Sequence, residues 1–415
     1  MIDRALWARA EARLATLDVA GLAAELVRIP SHPGVARQEE AVARRLADWL
    51  AEQGVAARLD EVAPGRPNVI ARVGDEDGRG RTLMLCGHTD TVPLNAADPG
   101  HAFRGEIRDG RLLGRGAADM KGPVAAMAAA LVALDGVIDE IGAAVVLAAV
   151  VDEEMESLGA EALARALQRD EPGVRADVAV VGEPTGNRVA LGHKGLEWLA
   201  VELHGRAAHG GTPERGVNAI LAAARFVALV EERLLPSLLS RAHPLLGPPT
   251  LNLGTIRGGD QPSTVAASCV LTLDRRSVPG ESFDSLSGEL EALLAEVERA
   301  MPGLRTRLRR VDGGMATMEH VALVTAADHP LARAAFAARA FVLGEQVATQ
   351  QPIAFPAWTD GALLARFGGL PTIVLGPGDL ADAHSPRESI AVAELETAAR
   401  LYAALALELV GGATA

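Results

Sequence analysis

At 415 residues, 49% of them hydrophobic, the chain is long and apolar enough for two domains with separate cores. Its formal net charge of -14 excludes a surface built for nucleic acid or an anionic membrane, because phosphates reward clustered Lys and Arg. Two cysteines, Cys86 and Cys269, are too few for a disulfide framework and lack the spacing of a structural zinc site, which points to a reducing compartment.

The first thirty residues carry charges throughout and contain no uninterrupted apolar stretch, so they read as amphipathic helix rather than a signal peptide. The longest apolar run, "IGAAVVLAAVV", is too short to span a bilayer, and a soluble cytoplasmic protein is expected. Four apolar runs end in polar residues: "TLMLCGHTDTVP" at His88 and Asp90, "AAVVLAAVVDEE" at Asp152, Glu153 and Glu154, "DVAVVGEPTG" at Glu183, and "PTIVLGPGDLADAHSP" at His384. Bounded by Gly and Pro, these runs read as buried strands, with helices in "PVAAMAAALVAL" and "GAEALARALQ". Such alternation predicts an α/β fold, a mainly parallel sheet covered by helices on both faces, whose ligand site lies beyond the carboxyl ends of the strands.

From about Gly192 to Gly313 the pattern changes. A strand in "GLEWLAVELHG", a helix in "GVNAILAAARFVALVEERLL", strands in "TLNLGTIRGG" and "STVAASCVLTLDRR", a helix in "SFDSLSGELEALLAEVERA" and a strand in "LRTRLRRV" give the order βαββαβ. This is the order of a ferredoxin-like α+β sandwich. The expected organisation is a first domain in two parts, 1–191 and 314–415, interrupted by an insert over 192–313, with the main sheet resuming at about Gly314.

Two neutral imidazoles and several carboxylates converging on one sheet edge form a donor set suited to zinc, cobalt or manganese rather than calcium or copper. Asp119, in "GRGAADMKGPVAAM", precedes a helix marked by Pro123, and a carboxylate with two oxygens can bridge two ions. Two ions about 3.5 to 4 Å apart polarise a carbonyl and activate a shared water.

These residues resemble the M20 family of di-zinc metallopeptidases and amidohydrolases, the group of acetylornithine deacetylase, succinyl-diaminopimelate desuccinylase, aminoacylase and glutamate carboxypeptidase. "GHTDTVP", "GRGAADMKGP", "DEEMESLGA", "VVGEPTG" and "AHSPRESI" match in order, and the resemblance runs from "RPNVIARV" to "AHSPRESI", the insert included. It implies that His88 and Glu183 hold one metal, Glu154 and His384 the other, and that Asp119 bridges them. Asp90 would fix the tautomer of His88 through its free nitrogen. A cis peptide between Asp119 and Met120 is also implied. Because adjacent residues of an extended chain point to opposite sides, Glu154 facing the metal leaves Glu153 facing the bridging water as general base, with Asp152 serving the loop or helix start.

The implied reaction is amide hydrolysis by a hydroxide shared between the ions, assisted by a lid histidine from a partner subunit. His209 in "RAAHGGTPERGVNA" matches that histidine, which calls for a homodimer through the lid insert. Arg276 in "LDRRSVPG" aligns with an arginine able to grip a substrate carboxylate, with Asp274 as its rival partner. Ser263 stands where the family usually has Asn, and Gly376 and Gly378 fit a loop whose backbone lies against the substrate. The lid and tail, through "GVNAI", "PTLNLGTIRGGD" and "VLGPG", are most similar to acetylornithine deacetylase, and Glu at 183 leans toward deacylases and carboxypeptidases. The substrate expected is therefore an N-acyl amino acid or a short peptide. The alternatives are a glutamate carboxypeptidase or dipeptidase and, from another class, a metal-stabilised binding protein without catalysis.

Overall fold

A computed structural model describes residues 2–75, 80–94, 98, 100, 102–313, 318–344 and 351–411. It divides into two compact units: residues 1–192, 323–355 and 359–415 form the first, residues 193–322 and 356–358 the second. Gly314, where the main sheet was expected to resume, lies outside the described residues; the first described strand of the first unit after the insert is Leu323–Val324.

The first thirty residues form two helices. Asp3 caps Arg4–Leu14 by accepting from the Ala5 and Leu6 amides, and Asp18 caps Val19–Val27 by accepting from the Gly21 amide. Each acid satisfies amides that a helix start leaves without a partner, and the second cap starts a new helix after the break at residues 15–18.

The main sheet runs in the order Ala57–Ala63, Arg66–Gly74, Ala144–Val150, Thr82–His88, Val178–Val181, Thr372–Val374, Ala190–His193 and Leu323–Val324, with Ile353–Phe355 also paired to Ala190–His193. Its centre is parallel: Thr82–His88 pairs with Ala144–Val150 on one side and Val178–Val181 on the other, and Thr372–Val374 pairs with Val178–Val181. Antiparallel strands flank this centre. Every residue of Thr82–His88 and of Ala144–Val150 is buried, as strands covered on both faces require. The helix Lys121–Leu134 is buried on all sides, because helices Val19–Val27, Arg4–Leu14 and Val392–Gly411 pack around it. Tyr402 ties the last helix to the sheet, its hydroxyl donating to the Leu375 carbonyl at 2.9 Å.

In the second unit an antiparallel sheet runs in the order Thr250–Gly258, Ser268–Arg276, Glu197–His204, Arg305–Arg310. With helices Ala219–Leu229 and Phe283–Ala300 it is the ferredoxin-like βαββαβ sandwich. Along Ser268–Arg276 the inward residues Cys269, Leu271 and Leu273 alternate with more exposed ones, and they share a core with Leu199, Val201, Phe226, Leu290 and Leu294. Among the described residues, no helix is long and apolar enough to cross a membrane.

Candidate metal centre

Three parallel strands deliver the candidate ligands to one edge. His88 pairs with Val150, so the strand carrying His88 and the strand leading to Glu153 and Glu154 end level with each other. Cys86 pairs with Val181, and the Gly182 amide donates to the Cys86 carbonyl at 3.1 Å, which leaves Glu183 as the next side chain beyond the edge. Asp119 comes from the segment before helix Lys121–Leu134, through a cis Asp119–Met120 peptide. His384 comes from the segment that follows the strand Thr372–Val374.

The two oxygens of Asp119 face different imidazoles. Oδ1 lies 3.0 Å from His88 Nε2, and Oδ2 lies 3.1 Å from His384 Nε2. Around His88 the other oxygen is Glu183 Oε1 at 3.6 Å; around His384 it is Glu154 Oε1 at 3.1 Å. Atoms bound tetrahedrally to one zinc at its usual bond lengths stand about 3.3 Å apart, so these separations suit atoms sharing an ion. Ligand atoms of His88, Asp119 and Glu154 all lie within 4.8 Å of one another.

Electrostatics favour a cation here. Burial opposes charge on His88, yet hydrogen bonds to Asp119 and Asp90 hold its pKa well above the usual imidazole range. Hydrogen bonds to Asp119 and Glu154 push His384 up to about 10. Burial lifts Glu183, Glu153 and Glu154 above the carboxylate range. Asp119 is raised by burial too, but the two histidines hold it below its ordinary value. Without ions the site gathers protons to balance its carboxylates; divalent cations would supply that charge and displace them. The residues present therefore fit two metal ions.

Asp90 does more than its sequence context suggested. Its backbone carbonyl lies 3.1 Å from His88 Nδ1 and its Oδ1 3.4 Å from the same nitrogen, which leaves Nε2 for a metal. The same carboxylate accepts from the Glu153 amide at 3.2 Å and the Glu154 amide at 3.0 Å. Here the extended-chain expectation fails. Residues 153–156 form a turn, set by Asp152 at a left-handed φ of 70°. The Asp152 carbonyl receives the amides of Met155, Glu156 and Ser157, and an extended chain cannot return three amides to one carbonyl. Glu153 and Glu154 separate through that turn. The Glu153 carboxyl has no hydrogen-bond partner among the described residues.

Glu388 and Asp360 escaped the sequence reading. Glu388 Oε1 accepts from the amides of Gly116, Ala118 and Asp119, and Oε2 from Arg115 Nη1 at 2.7 Å. Burial and the nearby Asp119 carboxylate raise its pKa to about 7, yet each of these hydrogen-bond partners is a donor, and only the carboxylate satisfies them all. It thereby anchors the segment that carries Asp119. Arg115 also donates to Asp98 at 3.1 Å. Asp360, at the head of helix Gly361–Arg366, is buried, and burial pushes it up to about 7 against the opposing pull of His88 and the Ser157 hydroxyl. Glu388 had a signal in its place four residues after His384; Asp360 had none.

The remaining candidates divide between the units. In the second, His209 is exposed, and its Nδ1 accepts from the Gly211 amide at 3.0 Å, so the ring proton sits on Nε2. Ser263 lies across from it, its carbonyl accepting from the Gly210 amide at 2.7 Å. Arg276 is held bidentately by Asp274, at 2.7 and 3.0 Å, the rival partner foreseen for it. In the first unit, Gly376 packs so closely on the 182–187 segment that a Cβ would stand 2.0 Å from the Gly182 carbonyl. Its amide donates to Thr185 Oγ1 and its carbonyl accepts from Thr185 and Asn187. Gly378, at φ 88°, donates to Glu394 and accepts from Gly186. Both glycines thus spend their backbone groups within the protein.

Residues 84–408 match the family described as Peptidase family M20/M25/M40. The chain is 32% identical over 372 residues to an acetylornithine deacetylase of Vibrio cholerae, covering 87% of this chain and 89% of that protein. It is 31% identical to one of Proteus mirabilis, covering 89% and 90%. Its fold is similar to that of an M20 family metallo-carboxypeptidase from Sulfolobus solfataricus, with a TM-score of 0.75, 18% identity and coverage of 95% and 99%. A dinuclear metal-binding M20 peptidase from Bacillus subtilis gives a TM-score of 0.68 at 15% identity, with coverage of 97% and 99%.

Proposed function

Because the chain belongs to peptidase family M20/M25/M40 and is a metal-dependent amide hydrolase, we propose that it removes the acyl group of an N-acyl amino acid by a two-metal mechanism. The observation that carries this reading is the Asp119 carboxylate, with one oxygen toward each of two imidazoles. Acetylornithine deacetylases as relatives across nearly the whole chain support the deacylase direction over peptide cleavage.

His88 and Glu183 would hold one ion and Glu154 and His384 the other, with Asp119 shared; zinc suits the donors, and cobalt or manganese can replace it. Such ions would supply Lewis-acid chemistry, polarising the scissile carbonyl and lowering the pKa of a nearby water. Asp90 keeps His88 in the tautomer whose Nε2 is a ligand and, through two amides, keeps Glu153 and Glu154 on the same turn. Glu153 removes a proton from the attacking water as the oxygen–carbon bond forms. It delivers that proton to the amine nitrogen as the carbon–nitrogen bond breaks, releasing a carboxylate and a free amino acid. His209, with its proton on Nε2, is the donor assigned to the oxyanion, supplied by the partner in a homodimer formed through the insert; such a donor is worth roughly 3 to 4 kcal/mol.

The test is a panel of N-acetyl, N-succinyl and N-carbamoyl amino acids beside dipeptides and acylglutamates, run on metal-loaded protein. Release of free amino acid from one of the N-acyl compounds is expected. Cleavage of dipeptides alone would reject the deacylase reading.

A further inference from the structure

The turn that carries Glu153 and Glu154 is fastened from outside, by a strand that contributes nothing else to the centre. Asn68, buried in strand Arg66–Gly74, closes both ends of the turn with one side chain: its Oδ1 accepts from the Val151 amide at 3.1 Å and its Nδ2 donates to the Gly159 carbonyl at 2.9 Å. The Gly159 amide completes the closure by donating to the Val151 carbonyl at 3.0 Å. Only glycine fits there, since a Cβ on residue 159 would stand 2.4 Å from the Val151 nitrogen and 2.6 Å from Asn68 Oδ1. Two residues before Asn68, Arg66 donates through Nη2 to Asp152 Oδ1 at 2.6 Å and grips the fully buried Glu39 through Nε at 2.7 Å and Nη2 at 2.5 Å. Asp152 is the residue whose positive φ and triply used carbonyl create the turn. Asn68 therefore sets where the turn opens and closes, and Arg66 sets how its first residue is held.

We propose that Arg66 and Asn68 are positioning residues which hold this turn in the one setting that presents Glu153 as base and Glu154 as metal ligand. The proposal rests on the two-metal hydrolase reading and adds to it two residues that touch neither substrate nor metal. A guanidinium serves two carboxylates at once because its donors are fixed in a planar fork; an ammonium on a flexible stem engages one of them at a time. Partners that orient a metal ligand without touching the metal are worth about 10- to 100-fold in metal affinity or activity.

The experiment is a cobalt(II) titration, read by visible absorption, on the wild type and on Arg66→Met, Arg66→Lys and Asn68→Leu, with steady-state kinetics on the same samples. Arg66→Met and Asn68→Leu should still bind one ion as the wild type does, at His88 and Glu183. They should bind the second, which needs Glu154, roughly 10- to 100-fold more weakly. Their kcat should fall by about 100-fold while KM moves by less than about threefold. Arg66→Lys should recover part of both losses. If Arg66→Met does not fold, Asp152→Asn replaces it, since it keeps the shape of the turn and removes the charge that Arg66 holds; the same split is expected. Wild-type binding of both ions in these variants overturns the proposal. So does a parallel loss of both ions that follows thermal unfolding and is not relieved in Arg66→Lys, the mark of a purely structural role. A wild type that takes up two cobalt ions but hydrolyses nothing in the panel would reject the proposed reaction, and the titration would still decide this proposal.

Discussion

Replacing Glu388 by Gln tests how the segment bearing Asp119 is anchored. The Gln carbonyl can take the place of Oε1 and keep the amides of Gly116, Ala118 and Asp119, but its NH2 then faces Arg115 Nη1 where Oε2 had accepted. The side chains of Arg115 and Glu388 are each 2% exposed, so water cannot readily replace the lost acceptor. Removing one partner of a buried ion pair costs about 3 to 5 kcal/mol. Arg115 keeps Asp98 at 3.1 Å, which places the loss at the lower end, about 3 kcal/mol. Urea unfolding at pH 8, followed by circular dichroism, should show a lower midpoint with an unchanged slope. Glu388→Ala, which also strips the acceptor from the amides, should lose more. A Gln variant as stable as the wild type at pH 8 would refute the reasoning, because it would mean that Glu388 is already a neutral acid in the folded protein.

Three further outcomes are expected. Glu153→Ala should keep its metal content and lose about 10²- to 10⁴-fold in kcat, measured by steady-state hydrolysis beside elemental analysis; unchanged turnover would remove Glu153 from the mechanism. Metal affinity should rise with pH through the neutral range, because the raised pKa values of His384, Glu183 and Glu154 make protons compete with the ion until they leave. Calorimetry in buffers of different ionisation enthalpy should then show proton release on metal binding, and no release would contradict this charge balance. His209→Ala should lower kcat about 10²- to 10³-fold with both ions still bound; an equal loss of metal would instead place His209 among the structural supports of the centre.

Much of the site was legible because strands buried on both faces leave a plain trace. "TLMLCGH" and "AAVVLAAV" are nearly free of polar residues until the sheet ends, so His88, Glu153 and Glu154 stand out where solvent or a ligand must begin. The motifs around Asp119, Glu183 and His384 then fell into a known order. What stayed hidden depends on partners far apart in the chain. No local pattern shows that Glu388 will receive the amides of residues more than two hundred positions earlier, or that Arg66 will reach Asp152. The turn at 153–156 was misjudged for a related reason. Its shape comes from one carbonyl collecting three amides and from Asp90 collecting two more, whereas local alternation alone suggested an extended chain. The N-terminal pair of helices was legible in principle, since Asp3 and Asp18 are both residues that cap.

The account depends most on Asp119 bridging two cations. Anomalous diffraction from crystals of the zinc-loaded protein, recorded at the zinc edge, measures this directly. Two peaks are expected about 3.5 to 4 Å apart, one beside His88 and Glu183, the other beside His384 and Glu154, with Asp119 between them. A single peak at full zinc loading, or two peaks with Asp119 bound to neither, would contradict it.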